Sequence, residues 1–501
     1  MLIPEALLDR VNVEDVVRSE IGTPPDKMPT RTVENALGDD LAAFVPEARG
    51  LLRANSKPYE VERLFANKDS TSYRPIRRLS LQSRLQLRAL ASLVQGELVP
   101  PVNRSYPAYA QFQTEVLEEP ATRYVVACDV HGFYQYVRHQ NVHDEIVGLT
   151  GAVDLATALS DFLSGLMGGP AGLPQLYDAA DPLAEIVIDA ATRRLTRAGL
   201  QIARFNDDFR IGCRSYAEAL AAAIKVTGEL EHFGLTLNER KTLIFQKDRY
   251  QGWIRAPRER WAELVGANAE TRLLAFDSGY QEVWVEVQLP PSTASRAAAG
   301  GAALKLWNEF QTSKGSDNAD EWMFVKLAGL GLRELAASPS VVEPDMISKL
   351  ARREPQLTPD VARYLAALAP FEPGFVADVL SSLTSSSGAG TSAWRSAWLL
   401  VPILSLSSPP ASLQDWVEAC FRSRSDTLAG LAAAACALHG WVTLEDVTRR
   451  FDHSGPAAKP EFAAAAAFLA SKNTNALKSI RGEGDVYARI ADKNFDSLSI
   501  V

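Results

Sequence analysis

The stretch QIARFNDDFRIGC, residues 201–213, decides how the rest of the chain is read. Apolar residues alternate around Phe205, Asn206, Asp207, Asp208, Phe209 and Arg210, the pattern of a half-buried hairpin. Two adjacent carboxylates at its centre repel each other unless a positive group lies beside or between them. Asn-Asp is good turn chemistry, and Asp tolerates unusual backbone angles, so one reading is a plain β-turn. The other is half of a divalent metal site, with hard carboxylate oxygens gripping Mg²⁺. The remainder of the chain has to choose between them.

The chain has 501 residues, more than one core supports, which predicts two or more domains. No apolar run reaches the ~18 residues of a transmembrane helix. The start, MLIPEALLDRVNVEDV, has no basic segment followed by an apolar one, so no signal peptide is expected. Cys128, Cys213, Cys420 and Cys436 form no Cys-x-x-Cys pair and no zinc spacing. They read as buried thiols in a reducing cytoplasm. The formal charge of −9 argues against a chain that coats nucleic acid non-specifically. Residues 51–110 nevertheless carry ten Lys/Arg against four Asp/Glu, which predicts a local basic surface.

The chain divides into four regions. Residues 1–50 read as a helical extension with a turn-rich break at TPPDKMPTRT. Residues 51–258 mix strands, expected at 123–130, 201–213 and 235–245, with helices at 81–98, 182–199 and 215–234. The last helix starts after Ser215 and ends on Gly234, good cap chemistry at both ends. Residues 259–335 form a connector, with a strand over 283–289 and helices over 303–311 and 321–335. Within 336–501, Ala-rich amphipathic segments recur between Pro, Gly and Ser breaks without a strict period, and a stack of helical hairpins is the natural way to bury such faces. SSSGAGTS, 385–392, is the expected loop within that stack.

A metal site at Asp207–Asp208 needs carboxylates from elsewhere. The apolar strand RYVVACDV ends in Asp129 and runs into His131, Gly132, Phe133 and Tyr134. One Asp at a strand end beside a hairpin carrying two more is a two-metal arrangement in outline: one ion activates a hydroxyl, the other neutralises a triphosphate and its leaving pyrophosphate. Asp129 and Asp207 are the expected bridging ligands, with Asp208 flanking; a strand-end turn residue is the plain alternative for Asp129. Gly172-Leu173-Pro174-Gln175 is a constrained turn leading into a helix, or simply a helix start with Asp181 capping and Pro182 in the first turn. Lys241 follows a strand-like segment and, alone, would be solvated. Lys68, Arg74, Arg77, Arg78, Arg84 and Arg88 are candidates to hold phosphates, or a solvated basic face.

The order and spacing of these segments resemble the fingers and palm of a reverse transcriptase over residues 58 to ~255. YRPIRRLSLQSRLQLRALA resembles the fingers motif, VACDVHGFYQYV the first palm motif, and GLPQ with PLAEIVI the second. RFNDDF resembles the aromatic-x-Asp-Asp signature and GLTLNERKT the fourth motif, Leu-x-x-x-Lys-Thr. The resemblance implies an α/β (α+β) fingers-palm fold with an antiparallel palm sheet. It implies a metal site of Asp129, Val130, Asp207 and Asp208 for two Mg²⁺ ions, with Mn²⁺ as the alternative. It makes Tyr134 the steric gate against a ribose 2′-OH, and Gln175 the residue packed on the incoming nucleotide. Arg74 and Lys68 become triphosphate ligands, and Lys241 the acid toward pyrophosphate. Two positions depart from the pattern: Leu176 and Tyr177 follow the Pro-Gln where many members have Gly, and Asn206 stands where Ala or Val is common.

The fingers-palm core followed by a mostly helical C-terminal part looks like the bacterial abortive-infection and other defence-associated reverse transcriptases. That likeness implies a HEAT-like C-terminal domain replacing the thumb, a homo-oligomer (trimer or hexamer) and synthesis of DNA from dNTPs. It further implies untemplated synthesis primed from a protein tyrosine, which leaves the DNA product covalently attached. Copying of a dedicated non-coding RNA and a catalytically silent sensor or scaffold are the alternatives. Tyr59, Tyr73, Tyr106 and Tyr109 lie near the fingers.

Overall fold

The computed structural model describes residues 3–21, 27–29, 33, 37–38, 41–54, 61–95, 106–265, 270–277, 282–289, 292–312, 321–385, 392–470 and 477–493. The architecture is mostly helical around a small antiparallel sheet. Strands β1 (Glu62–Asn67) and β2 (Tyr73–Arg78) pair as a hairpin. Asp69 closes its turn by accepting the N–H groups of Thr71 and Ser72 at 2.8 and 2.7 Å. A helix, α1 (Leu81–Gln95), comes next, then α2 (Tyr106–Glu118).

The central sheet has four antiparallel strands in the order β4 (Gln201–Phe205), β5 (Asp208–Cys213), β3 (Tyr124–Asp129), β6 (Leu243–Gln246). Side chains alternate between its faces with period two. Val126, Cys128, Phe209 and Ile211 are buried on one face, which α4 (Tyr216–His232) covers, while α3 (Asp181–Arg197) packs on β4. On the other face Val125, Ala203 and Phe205 form a separate small core with Phe112 and Val116 of α2 and Tyr250 of α5 (Lys247–Val265). Ser215 caps α4, accepting the Glu218 N–H at 3.1 Å, as expected.

Two local expectations are corrected. Residues 235–245 are not one strand: Asn238 accepts the Arg240 N–H and opens a 3₁₀ turn, Glu239–Lys241, so the strand begins only at Leu243. Asp181 does not cap α3; its carboxylate instead accepts the phenol of Tyr134.

The connector contains a hairpin of β7 (Glu270–Asp277) and β8 (Glu282–Leu289). The helical stack begins at Thr293, ahead of residue 336. Its helices are α6 (Thr293–Thr312), α7 (Glu321–Ala337), α8 (Pro344–Arg353), α9 (Thr358–Leu368), α10 (Pro373–Ser385), α11 (Ala393–Leu404), α12 (Ala411–Phe421), α13 (Asp426–Leu438), α14 (Leu444–His453), α15 (Lys459–Ala470), α16 (Lys478–Gly482) and α17 (Asp485–Asp492). The odd-numbered helices α7 to α17 lie side by side in one row; α6, α8, α10 and α12 form a second row, continued by α14 and α16. Alternating apolar faces are buried between the rows, with Trp307, Trp394, Trp398 and Phe462 inside. The expected loop at 385–392 falls largely outside the described residues.

The stack folds back onto the β1–β2 hairpin. Arg78 of β2 forms an ion pair with Glu461 of α15 at 2.9 Å, both side chains almost fully buried. Glu62 of β1 accepts the Thr427 N–H at 2.9 Å, and the indoles of Trp394 and Trp398 both donate to the Lys27 carbonyl. All four cysteines are buried, and burial pushes the thiols of Cys128, Cys420 and Cys436 up to about 12. Among the described residues no helix is long and apolar enough to cross a membrane.

Candidate active site

The register of the sheet gathers the three aspartates at one corner. Asp129 ends β3 directly opposite Asp208, the first residue of β5. Asp207 lies in the two-residue link from β4 to β5 and is almost fully buried. Asn206, beside it, takes φ +54°, a left-handed conformation that Asn tolerates better than Ala or Val. Val130 ties the corner together, donating its N–H to the Asp207 carbonyl at 3.1 Å and bridging to Leu237.

Asp129 Oδ2 accepts from Asn238 Nδ2 at 3.0 Å and lies 3.1 Å from the Lys241 ammonium. Its other oxygen, Oδ1, is buried with no hydrogen-bond partner among the described residues. The Asn238 N–H also donates to the Asp129 carbonyl, at 2.8 Å. The 3₁₀ turn after Asn238 is therefore what carries Lys241 over the corner. Asp208 Oδ1 lies 3.7 Å from the guanidinium of Arg210, two residues along the same strand face. Arg210 is itself buried, with Phe112 4.8 Å from its guanidinium carbon and the Tyr250 hydroxyl accepting from its Nε at 3.1 Å.

Charges of like sign crowd here. Burial raises the Asp208 carboxyl above the ordinary carboxylate range; Asp129 adds to the rise, and Arg210 and Lys241 oppose it. Burial works to lower the Lys241 ammonium, but Asp129, Asp208 and Asp207 outweigh it and hold Lys241 above the usual lysine value. Lys68, at the end of the fingers hairpin, is lowered by burial and by the neighbouring Lys241 and Arg74, against Asp129 and Asp207. Lys68, Arg74 and Lys241 thus form a cationic group facing the three carboxylates. Arg74 is buried on β2.

Tyr134 is buried, and its phenol donates to Asp181 Oδ1 at 2.5 Å, fixing the ring in place. Gln175 is buried in the turn that leads toward α3. The next residue, Leu176, has φ +68°, the conformation Gly adopts freely and other residues at a cost of roughly 1–2 kcal/mol. Tyr177 anchors the turn: its hydroxyl donates to the Arg77 carbonyl at 2.9 Å and accepts the Leu79 N–H at 3.0 Å. The Gly-like backbone is kept without Gly, and the hydroxyl suspends the turn from the fingers.

The arginines divide. Arg78 is consumed by Glu461, Arg84 by Glu20 at 2.5 Å, and Arg88 by Glu20 and Asp178. These three are interior struts, a correction to their reading as phosphate ligands; the cause is the burial of acidic partners distant in sequence. Of the tyrosines near the fingers, Tyr73 is exposed, and Tyr59 lies outside the described residues. Tyr106 begins α2. Tyr109 packs edge-on against Phe205, ring centres 5.1 Å apart. Burial and the Asp208 charge push its phenol up to about 12.

Among the described residues, no group of three or more His, Cys, Asp or Glu side chains is set closely enough to hold a metal ion alone. The facing pair Asp129–Asp208 and the orphaned Asp129 oxygen still suit a hard cation of the open kind, which takes one or two carboxylates and completes its shell with water and substrate phosphates.

No protein-family model matches this chain, and no curated protein does. Among solved structures, it is similar to the apo telomerase of Candida tropicalis, with 10% identity and a TM-score of 0.31 over 69% of this chain and 68% of that one. The telomerase of Candida albicans with a TWJ fragment of telomeric RNA gives 10% identity and a TM-score of 0.27, over 70% and 67%. Likeness at this level carries no weight for function, which rests on the geometry of the corner.

Sequence reasoning missed Asn238, Arg210, Tyr250 and the role of Asp181. Arg210 was legible in principle, because two residues along a strand share a face. Asn238 carried a weaker signal, an Asx-type start before Glu239–Lys241. Tyr250 and Asp181 gave none, since their partners come from other elements.

Proposed function

We propose that this chain is a DNA polymerase of the reverse-transcriptase type that adds deoxynucleotides in bacterial antiphage defence. The observation that carries the reading is the corner where Asp129 faces Asp208, with Asp207 beside them and Lys241 3.1 Å from Asp129. Bound at Asp129, Asp207 and Asp208, with Val130 adjoining, two Mg²⁺ ions, or Mn²⁺, would supply the Lewis acidity that activates a hydroxyl and stabilises departing pyrophosphate. Lys68 and Arg74 hold the triphosphate, and Lys241, kept protonated by its carboxylate neighbours, donates to the leaving pyrophosphate. Tyr134, immobilised by Asp181, acts as the gate against a 2′-OH, and Gln175 supports the nucleotide.

Synthesis is untemplated and starts on a protein tyrosine in this reading. The acidic balance of the chain supports a short, attached substrate over a long duplex. The HEAT-like stack takes the place of a thumb, and the active form is a cytoplasmic homo-oligomer.

Nuclease-treated protein is incubated with Mg²⁺ and each labelled dNTP, without primer or template, beside Asp207→Ala. Products are run on a denaturing gel with and without protease. Label that stays on the protein until protease treatment, and is absent from Asp207→Ala, is the expected result. Labelling restored only by RNA co-purified before nuclease treatment moves the reading to a templated enzyme with a dedicated non-coding RNA. No incorporation in either condition, with phage protection intact in Asp207→Ala, leaves a sensor or scaffold and overturns the polymerase.

A further inference from the structure

A cavity of about 410 Å³ lies between the β1–β2 turn and helices α7 and α9 of the stack. Its volume falls within the ~300–1,000 Å³ of small-molecule sites. It meets the carboxylate corner through Lys68, which lines the cavity and feels the charges of Asp129 and Asp207. The stack supplies the rest of the wall.

That wall has three chemical parts. The first is aromatic. Trp322 of α7 has the Lys326 ammonium over one face of its ring, 4.9 Å from the centre, so an aromatic surface and a cation meet on this wall. Trp322 also contacts Trp253 of α5 at 5.7 Å, and Trp253 stacks on Phe245 of β6 at 5.4 Å. An aromatic path therefore runs from the sheet to the cavity.

The second part is cationic. Lys27 and Lys68 stand on the wall with Lys326. Four acids share the lining, and three are already engaged. Asp69 closes the hairpin turn, Asp360 holds Arg333 at 3.0 Å, and Glu354 accepts from the Trp307 indole at 3.2 Å. The third part is a single acceptor. Gln356 Nε2 donates to Glu354 Oε2 at 2.9 Å, which fixes the amide orientation. Gln356 Oε1 is then buried with no hydrogen-bond partner among the described residues. A buried acceptor left unmade is costly, and an N–H brought by a ligand relieves it.

We propose that this cavity is a nucleotide subsite: a base stacks on Trp322, an N–H on its edge donates to Gln356 Oε1, and the phosphate lies toward Lys68 and Lys326. Every DNA base carries such a donor, so the site accepts nucleotides without choosing among them. Its occupant is a free dNTP or one nucleotide of a single strand, which share this chemistry. The subsite's role in synthesis rests on the polymerase reading; the binding itself does not.

The test is binding of two probes to the full chain in EDTA, where no chemistry proceeds. One probe is fluorescein-labelled dT10, read by anisotropy; the other is radiolabelled dTTP, read by equilibrium dialysis. Trp322→Ala is expected to weaken at least one probe about tenfold, and Gln356→Leu to weaken the same probe by less. Circular dichroism confirms that both variants fold. Loss confined to dT10 assigns the site to a strand nucleotide, and loss confined to dTTP assigns it to the free nucleotide. Wild-type protein that binds neither probe, or folded variants that bind both as wild type does, overturn the subsite. The polymerase reading is judged separately, by incorporation in the labelling assay, and its failure leaves the binding measured in EDTA untouched.

Discussion

The interface between the β1–β2 hairpin and the stack and the corner of the central sheet both hold charge, but in opposite ways. At the interface opposite charges are paired: Arg78 meets Glu461 at 2.9 Å, both side chains almost fully buried. At the corner, Asp129 and Asp208 face each other across the strand pair, Lys241 lies 3.1 Å from Asp129, and Asp208 is pushed toward its neutral form. Matched buried pairs hold a structure together, because losing one partner strands the other. Crowded like charges work against folding and persist where a ligand is to complete them.

The comparison breaks most visibly under paired substitutions. Asp208→Asn removes a charge that the folded chain disfavours. Nucleotide incorporation is expected to fall by a factor on the order of 10³, while the denaturant midpoint holds or rises. Glu461→Ala should do the reverse. It strands Arg78 and costs about 3–5 kcal/mol in denaturant unfolding, whereas the joint replacement of Arg78→Met and Glu461→Leu should be near neutral. A large stability loss in Asp208→Asn would erase the distinction between the regions.

A finer test uses pH. The folded pKa of Asp208 is raised, so the ionised form is the one folding disfavours. In the metal-free protein, stability from this group is gained as pH falls through the raised value. Arg210 opposes the rise. Arg210→Met should therefore move this gain to higher pH in denaturant unfolding measured in EDTA; an unmoved pH dependence in a folded variant would show that Arg210 acts on packing alone.

The smallest effect is expected at the turn. Asn206→Val forces a β-branched residue into φ +54° and should cost roughly 1–2 kcal/mol in unfolding free energy. A larger loss of incorporation than of stability would show that the turn also sets the aim of Asp207.

Much of the corner was legible in the sequence, because it is built from local patterns. Strand alternation marked β3, β4 and β5, and the chain order of Asp129, Asp207–Asp208 and Lys241 marked residues that meet at the corner. The arginines were legible only as positive charge. Arg78 and Glu461 are 383 residues apart, and nothing near either one announces the other. Leu176 gave a departure from a motif without its reason, since a positive φ is a property of the backbone rather than of the letter.

The sequence by itself determined the antiparallel hairpin, the strand ending in Asp129, the capped helix after Ser215 and the alternation of helices toward the C-terminus. Each arises from contacts or hydrogen bonds a few residues apart. Only the tertiary structure decided which cations face the carboxylates and which are interior struts, that Asn238 reaches Asp129 across 109 residues, and that the stack folds back to wall a cavity with Trp322 and Gln356. The reason is physical: a charge is defined by its burial and its nearest opposite charge, and both are set by segments that meet only once the chain has folded.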